Sequence, residues 1–281
     1  MLKKILKVIF ALIFLLLIGV YIAFRTFTAP KSDADILKAY TKSVEKPILT
    51  KERFEGLDFR KIAIQKDTTL PTLVFVHGTI GSINDFSKYL SDSVLQSKAN
   101  MIAYDRIGYN YDDKNSVRES IAFERNMLEY IIKDLDKNKV ILVGYSYGGP
   151  IALSVKEKVR KIILLAPAVH SSVEPMPWML NFYKWSLTRW LVPKVWKEAS
   201  KEKLSHREDL KNFEQTWQET PNKVVDIHGT TDWIVPYENS KMLEEQFPKD
   251  QFELVDVPNA GHGLVWSNFG FIKEELLKNL H

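Results

Sequence analysis

The order of apolar segments predicts an α/β fold, with a mostly parallel sheet and helices on both faces. Three observations carry that expectation. Seven short, β-branched, nearly continuous apolar runs recur between residues 61 and 257, as strands buried on both faces read. Helical patterns lie between them, and such alternation implies parallel strands. The 281 residues are 45% hydrophobic and 26% charged, a globular balance too apolar and aromatic for a disordered chain.

The first element is an apolar helix. Val8 to Phe24 is uncharged, and Ile5 and Leu6 extend the run past Lys7, whose side chain can reach the headgroups. Twenty helical residues rise about 30 Å, the thickness of a hydrocarbon core. Residues 1–29 are therefore read as a cytoplasmic stub and a single-pass transmembrane anchor. Lys3 and Lys4 put the N-terminus in the cytoplasm and the body outside it, against a weaker pull from Arg25 and Lys31. The alternative is a cleaved signal peptide and a secreted body. Against it, a signal core is usually shorter, and Thr26-Phe27-Thr28 is a weak cleavage sequence.

Residues 30–51 are polar and read as a tether with one short helix. Residues 52–281 then form one domain. Its expected strands are Lys61–Gln65, Thr72–His77, Met101–Tyr104, Val140–Val143, Lys161–Ala166, Val224–His228 and Phe252–Val257. Over 116–135, Val117, Ile121, Leu128, Ile131, Ile132 and Leu135 form one apolar stripe, and Ser116 with Glu119 resembles a capping box. Further helices are expected over 147–159, 237–247 and 268–280. Residues 170–222 contain no good strand but five of the seven tryptophans at helical spacing. They read as an insertion between two strands.

Charge excludes one class of partner. Residues 1–31 hold five basic residues and no acid, leaving 34 basic and 35 acidic residues over 32–281. The formal +4 and the pI near 8.9 thus reflect the membrane flanks. With no basic stripe in the body, nucleic-acid binding has no support.

The chemistry begins at Gly144-Tyr145-Ser146-Tyr147-Gly148-Gly149, a G-x-S-x-G sequence between an expected strand and an expected helix. A serine on such a sharp turn stands above the sheet. Small neighbours let strand and helix close around it, and the helix start directs N–H groups at a developing oxyanion. With no cysteine in the chain, Ser146 is the expected nucleophile. A serine needs a base, and the base needs an orienting acid. His262, in Asn259-Ala260-Gly261-His262-Gly263 after the last strand, is the expected base, and Asp232, in His228-Gly229-Thr230-Thr231-Asp232, the expected acid. Asp226 and Asp256 are alternative acids placed within strands. His77 reads as structural, His228 as bonded within its loop, His170 as able to face the site, and His206 and His281 as solvent-exposed. For an oxyanion, Tyr147 N–H is the first donor and Thr79 N–H the second, with Ile80 next.

Together the His77-Gly78-Thr79 loop, Asp105-Arg106-Ile107-Gly108-Tyr109, GYSYGG, HGTTD and NAGHG resemble the α/β-hydrolase superfamily over about 60–281. Within it, the chain most resembles the serine members, esterases and lipases, with a helical cap inserted after the sixth strand. The resemblance implies that 170–222 covers the site, that Asp105 is structural, and that no metal or organic cofactor is required. It implies hydrolysis of small-molecule carboxylic esters with a hydrophobic acyl group. Thioester, amide, peptide or carbon–carbon cleavage by the same three residues, or a non-catalytic binding protein on the same fold, are the alternatives. The aromatic stretch Pro175–Trp185 either packs the insertion on the core, lines an acyl pocket or touches a membrane.

Overall fold

The computed structural model describes residues 2–280. His281, expected to be exposed, lies outside them. One sheet contains β1 (Ile48–Phe54), β2 (Leu57–Ile64), β3 (Thr72–Val76), β4 (Asn100–Tyr104), β5 (Val140–Tyr145), β6 (Lys161–Leu165), β7 (Val224–Gly229) and β8 (Phe252–Val257). Their spatial order is β1-β2-β4-β3-β5-β6-β7-β8. The β1–β2 and β2–β4 pairs are antiparallel and the others parallel. Every residue of β3, β4 and β5 is buried, which is why their sequences lack an alternating pattern.

Helices cover both faces. On one lie α3 (Ser87–Leu90), α4 (Ser93–Lys98), α11 (Leu264–Ser267) and α12 (Phe269–Lys278). Leu90, Leu95, Leu264 and Ile272 there meet Phe75, Ile141 and Ile163. On the other lie α5 (Ile121–Ile132), α6 (Gly148–Leu153) and α10 (Glu238–Gln246). There Leu128, Ile151 and Leu243 meet Val74, Leu142 and Leu164. Val76 lies opposite both Tyr104 and Gly144, and Tyr145 opposite Leu165. The central strands therefore end level, and the loops after them leave from one edge of the sheet.

Helix α1 (Leu2–Phe27) has no buried residue, and its most apolar stretch has a mean hydropathy of 2.9. It is long and apolar enough to cross a membrane. Between Leu165 and Val224 there is no strand. This insertion holds α7 (Leu180–Lys184), α8 (Ser186–Arg189) and α9 (Lys194–Leu210).

The expected tether contains its short helix and is pinned to the domain at a few residues. Helix α2 (Asp33–Lys38) buries Ile36, and Tyr40 follows it into the core at 1% exposure. The Arg60 guanidinium reaches the Lys31 carbonyl at 2.8 Å and Asp33 at 2.9 Å. Strand β1 starts inside the same segment. It is an edge strand with polar residues, so its composition resembles a linker. The turn Glu55-Gly56 joins it to β2 with φ of +46° and +78°, a two-residue hairpin geometry that glycine favours. The expected capping box at Ser116 and Glu119 does not form. Ser120 caps α5 instead, accepting from Phe123 N–H, while Ser116 donates to Glu198 at 2.6 Å. The helix expected over 147–159 ends at Leu153, after which Arg160 N–H bonds to the Val140 carbonyl and returns the chain to the sheet.

Candidate active site

Ser146 sits between β5 and α6 with φ +54°, a left-handed conformation that costs a serine about 1–2 kcal/mol. Three backbone hydrogen bonds hold it there. Its N–H donates to the Leu165 carbonyl at 2.9 Å, and its carbonyl accepts from Gly149 at 2.9 Å and Ala168 at 3.2 Å. Close packing explains two glycines. A Cβ on Gly148 would lie 2.2 Å from the Val76 oxygen, and one on Gly78 would lie 2.7 Å from Ser146 Cβ. The loop after β3 is thereby pressed against the serine.

His262 follows β8, and its Nε2 lies 3.0 Å from Ser146 Oγ. Its Nδ1 lies 2.8 Å from Asp232 Oδ2. With Nδ1–H donating to the carboxylate, Nε2 is left as the acceptor for the serine proton. Asp232 Oδ1 accepts from the N–H groups of Ile234 and Val235 at 2.9 and 3.0 Å. Burial opposes ionisation of Asp232, but hydrogen bonds from His228 and His262, with the charge of His262, hold its carboxyl well below the ordinary value. A fixed anion of this kind orients the imidazole and stabilises its cation.

The other expected positions separate by geometry. Asp226 is fully buried within β7, and Asp256 accepts from Tyr237 on the surface. His77 Nε2 accepts from Arg106 N–H at 2.9 Å, and its Nδ1 pairs with the Gly78 carbonyl at 2.7 Å. Burial and the Arg106 charge hold His77 well below its usual value, hence neutral. His228 contacts Ser240 and Val235 at 2.5 and 3.0 Å. The His170 backbone is fixed by Asn239. His206, expected on the surface, is 1% exposed. It occupies the inward face of α9 four residues after Glu202, with Nε2 3.0 Å from the Ala168 carbonyl and its ring against Tyr147. Asp105 accepts from Arg60 and from Ile83 N–H and is fully buried.

Residues 71–204 match a family model described as alpha/beta hydrolase fold. The chain has the α/β-hydrolase fold. Among solved structures it is similar to an esterase from Exiguobacterium antarcticum, with 18% identity and a TM-score of 0.66. That match covers 83% of this chain and 99% of the other. A bromoperoxidase from Bacillus anthracis has 16% identity and a TM-score of 0.62, covering 83% and 99%. A bacterial membrane phospholipase A has 14% identity and a TM-score of 0.63, covering 98% and 97%.

Two residues beside the site escaped sequence reasoning. The Tyr145 ring stacks on His262 with centroids 5.2 Å apart, and its hydroxyl donates to the His262 carbonyl at 2.9 Å. Its place inside G-x-S-x-G was visible, but its direction was not. Glu202 of α9 receives Arg106 at 2.8 and 2.9 Å, Tyr109 at 2.9 Å and Thr79 Oγ1 at 2.7 Å. It ties the insertion to the loop that carries Thr79. Nothing in the helix sequence distinguishes it from its surface neighbours.

The rejected acid has its own consequence. Both Asp226 oxygens lack a hydrogen-bond partner among the described residues, and burial pushes the carboxyl up from 3.8 to about 6. The folded chain thus keeps a proton that the unfolded chain releases earlier. This contribution to stability is complete below pH 3.8 and is lost as pH rises through about 6, amounting to about 3 kcal/mol. Asp226→Asn removes the titration. Urea unfolding of the full chain in detergent should favour the variant relative to wild type by about 2 kcal/mol more at pH 8 than at pH 4, where part of the contribution is already lost. An identical offset at both pH values would refute the account.

Proposed function

We propose that this protein is a membrane-anchored serine hydrolase of carboxylic esters. The observation that carries the reading is the hydrogen-bonded series Asp232, His262, Ser146, with spacings of 2.8 and 3.0 Å. Ser146 Oγ attacks the acyl carbon as His262 Nε2 takes its proton. Tyr147 and Thr79 N–H groups receive the oxyanion. The imidazolium then protonates the leaving alcohol, and the acyl group remains on Ser146. Water repeats the sequence: His262 deprotonates it, the acid is released and the serine proton is restored. Asp232 stays ionised throughout. No metal or organic cofactor enters these steps.

Residues 170–222 act as a cap over Ser146, which is 8% exposed. Helix α1 spans the membrane once, with the body on the extracytoplasmic side. The 98% coverage of this chain by its match to the membrane phospholipase A supports a lipid ester with a hydrophobic acyl chain as substrate. A fluorophosphonate probe tests the core of the reading. Wild type should be labelled and Ser146→Ala should not, whereas no labelling of wild type, or equal labelling of both, defeats it. A chain-length series of p-nitrophenyl esters should rise in kcat/KM toward longer acyl groups.

A further inference from the structure

We infer that the α7–α8 face of the insertion is a docking surface for an anionic lipid bilayer. The inference rests on the reading of α1 as an anchor. Trp178, Trp185, Leu187 and Trp190 are 70%, 59%, 86% and 72% exposed, with Met179 at 56% beside them. A soluble protein rarely leaves so many large apolar side chains together in water. Tryptophan in particular favours the headgroup boundary, where its ring is buried and its N–H stays wet.

Charge selects the occupant. Over residues 175–197 the chain has Lys184, Arg189, Lys194 and Lys197 and no acidic residue. Apolar anchors within a basic surround suit a surface of anionic headgroups over acyl chains, and each basic side chain near such a surface adds about 1 kcal/mol. Position agrees. At the end of α1, Phe24 lies 5.3 Å, ring centre to ring centre, from Trp196 of α9. Arg25, Ala29 and Pro30 also line a cleft of about 450 Å³ with Pro193, Lys194 and Val195. The segment that leaves the bilayer is therefore packed against the helix that follows the exposed face. Docking would place the insertion, which borders the Ser146 site through Glu202, at the lipid surface.

The test uses the full chain reconstituted in phosphatidylcholine–phosphatidylglycerol vesicles. None of the seven tryptophans lies in α1, so quenching by brominated acyl chains reports on the body alone. Wild type should be quenched. The double variant Met179→Asp/Leu187→Asp keeps every tryptophan and should lose at least half of the quenching. It should still cleave a water-soluble ester within twofold of wild type, and lose at least tenfold on an ester embedded in the vesicle. Retention after alkaline carbonate washing reads α1 separately. A retained chain with unquenched tryptophans overturns docking and leaves the anchor standing. An unretained chain that is quenched at neutral pH overturns the anchor and leaves docking standing. Quenching equal in wild type and variant overturns docking at this face. A detergent-solubilised dimer that the variant abolishes, with wild type unquenched, assigns the face to a second copy and also overturns it.

Discussion

Ser146→Ala is expected to lower kcat for an activated ester by at least about 10⁴-fold, with KM and thermal stability close to wild type. The substitution removes only Oγ, and the backbone bonds to Leu165, Gly149 and Ala168 remain. The protein should therefore fold, and the loss should lie in the chemical step. His262→Ala is expected to cost about as much, because an unassisted serine hydroxyl is a poor nucleophile at neutral pH. The Ser146→Ala/His262→Ala double variant should be little worse than either single one, since nucleophile and base act as a unit. Steady-state kinetics on a water-soluble ester read all three. Additive losses would mean that the two residues do not work in one step.

Glu202→Ala is the second large effect, and it acts on stability. Arg106 is fully buried, and Glu202 is its close counter-charge; Glu124 stands off at 3.9 Å. Removing Glu202 strands the guanidinium in the interior and leaves the Tyr109 and Thr79 hydroxyls without their shared acceptor. Breaking one side of a buried pair costs about 3–5 kcal/mol. At about 2–4 °C per kcal/mol for a domain of this size, Tm should fall by roughly 6–20 °C. The Arg106→Met/Glu202→Leu variant should recover most of that loss, because apolar packing replaces a pair whose desolvation cost is high. It should not recover full activity. Thr79 remains untied, and Tyr147 loses the guanidinium 4.6 Å from its ring. Calorimetry with matched ester kinetics would separate the two consequences, and a double variant no more stable than Glu202→Ala would contradict this account of Glu202.

Much of this fold was legible because its signals are local. Seven strands stood out because burial on both faces forces a continuous apolar run, and the glycines around Ser146 mark a turn that other residues could not close. The eighth strand, β1, was missed because an edge strand satisfies only one side and tolerates Lys51, Glu52 and Arg53. Its signal was Glu55-Gly56, a short turn between apolar positions. His206 and Glu202 were illegible for a different reason. Helix α9 is polar overall, and its inward face carries Glu198, Glu202 and His206, so periodicity could not say which side was covered.

The amino-acid sequence by itself determined which segments become strands, the apolar helix at the N-terminus, the insertion between β6 and β7 and the turn that lifts Ser146. Each depends on neighbours along the chain. Only the tertiary structure decided which carboxylate meets His262, which acid neutralises Arg106, and which aromatic side chains stay in solvent. Those partners stand 30, 96 and more residues apart, and a hydrogen bond or ion pair depends on distances of a few ångströms that only packing sets.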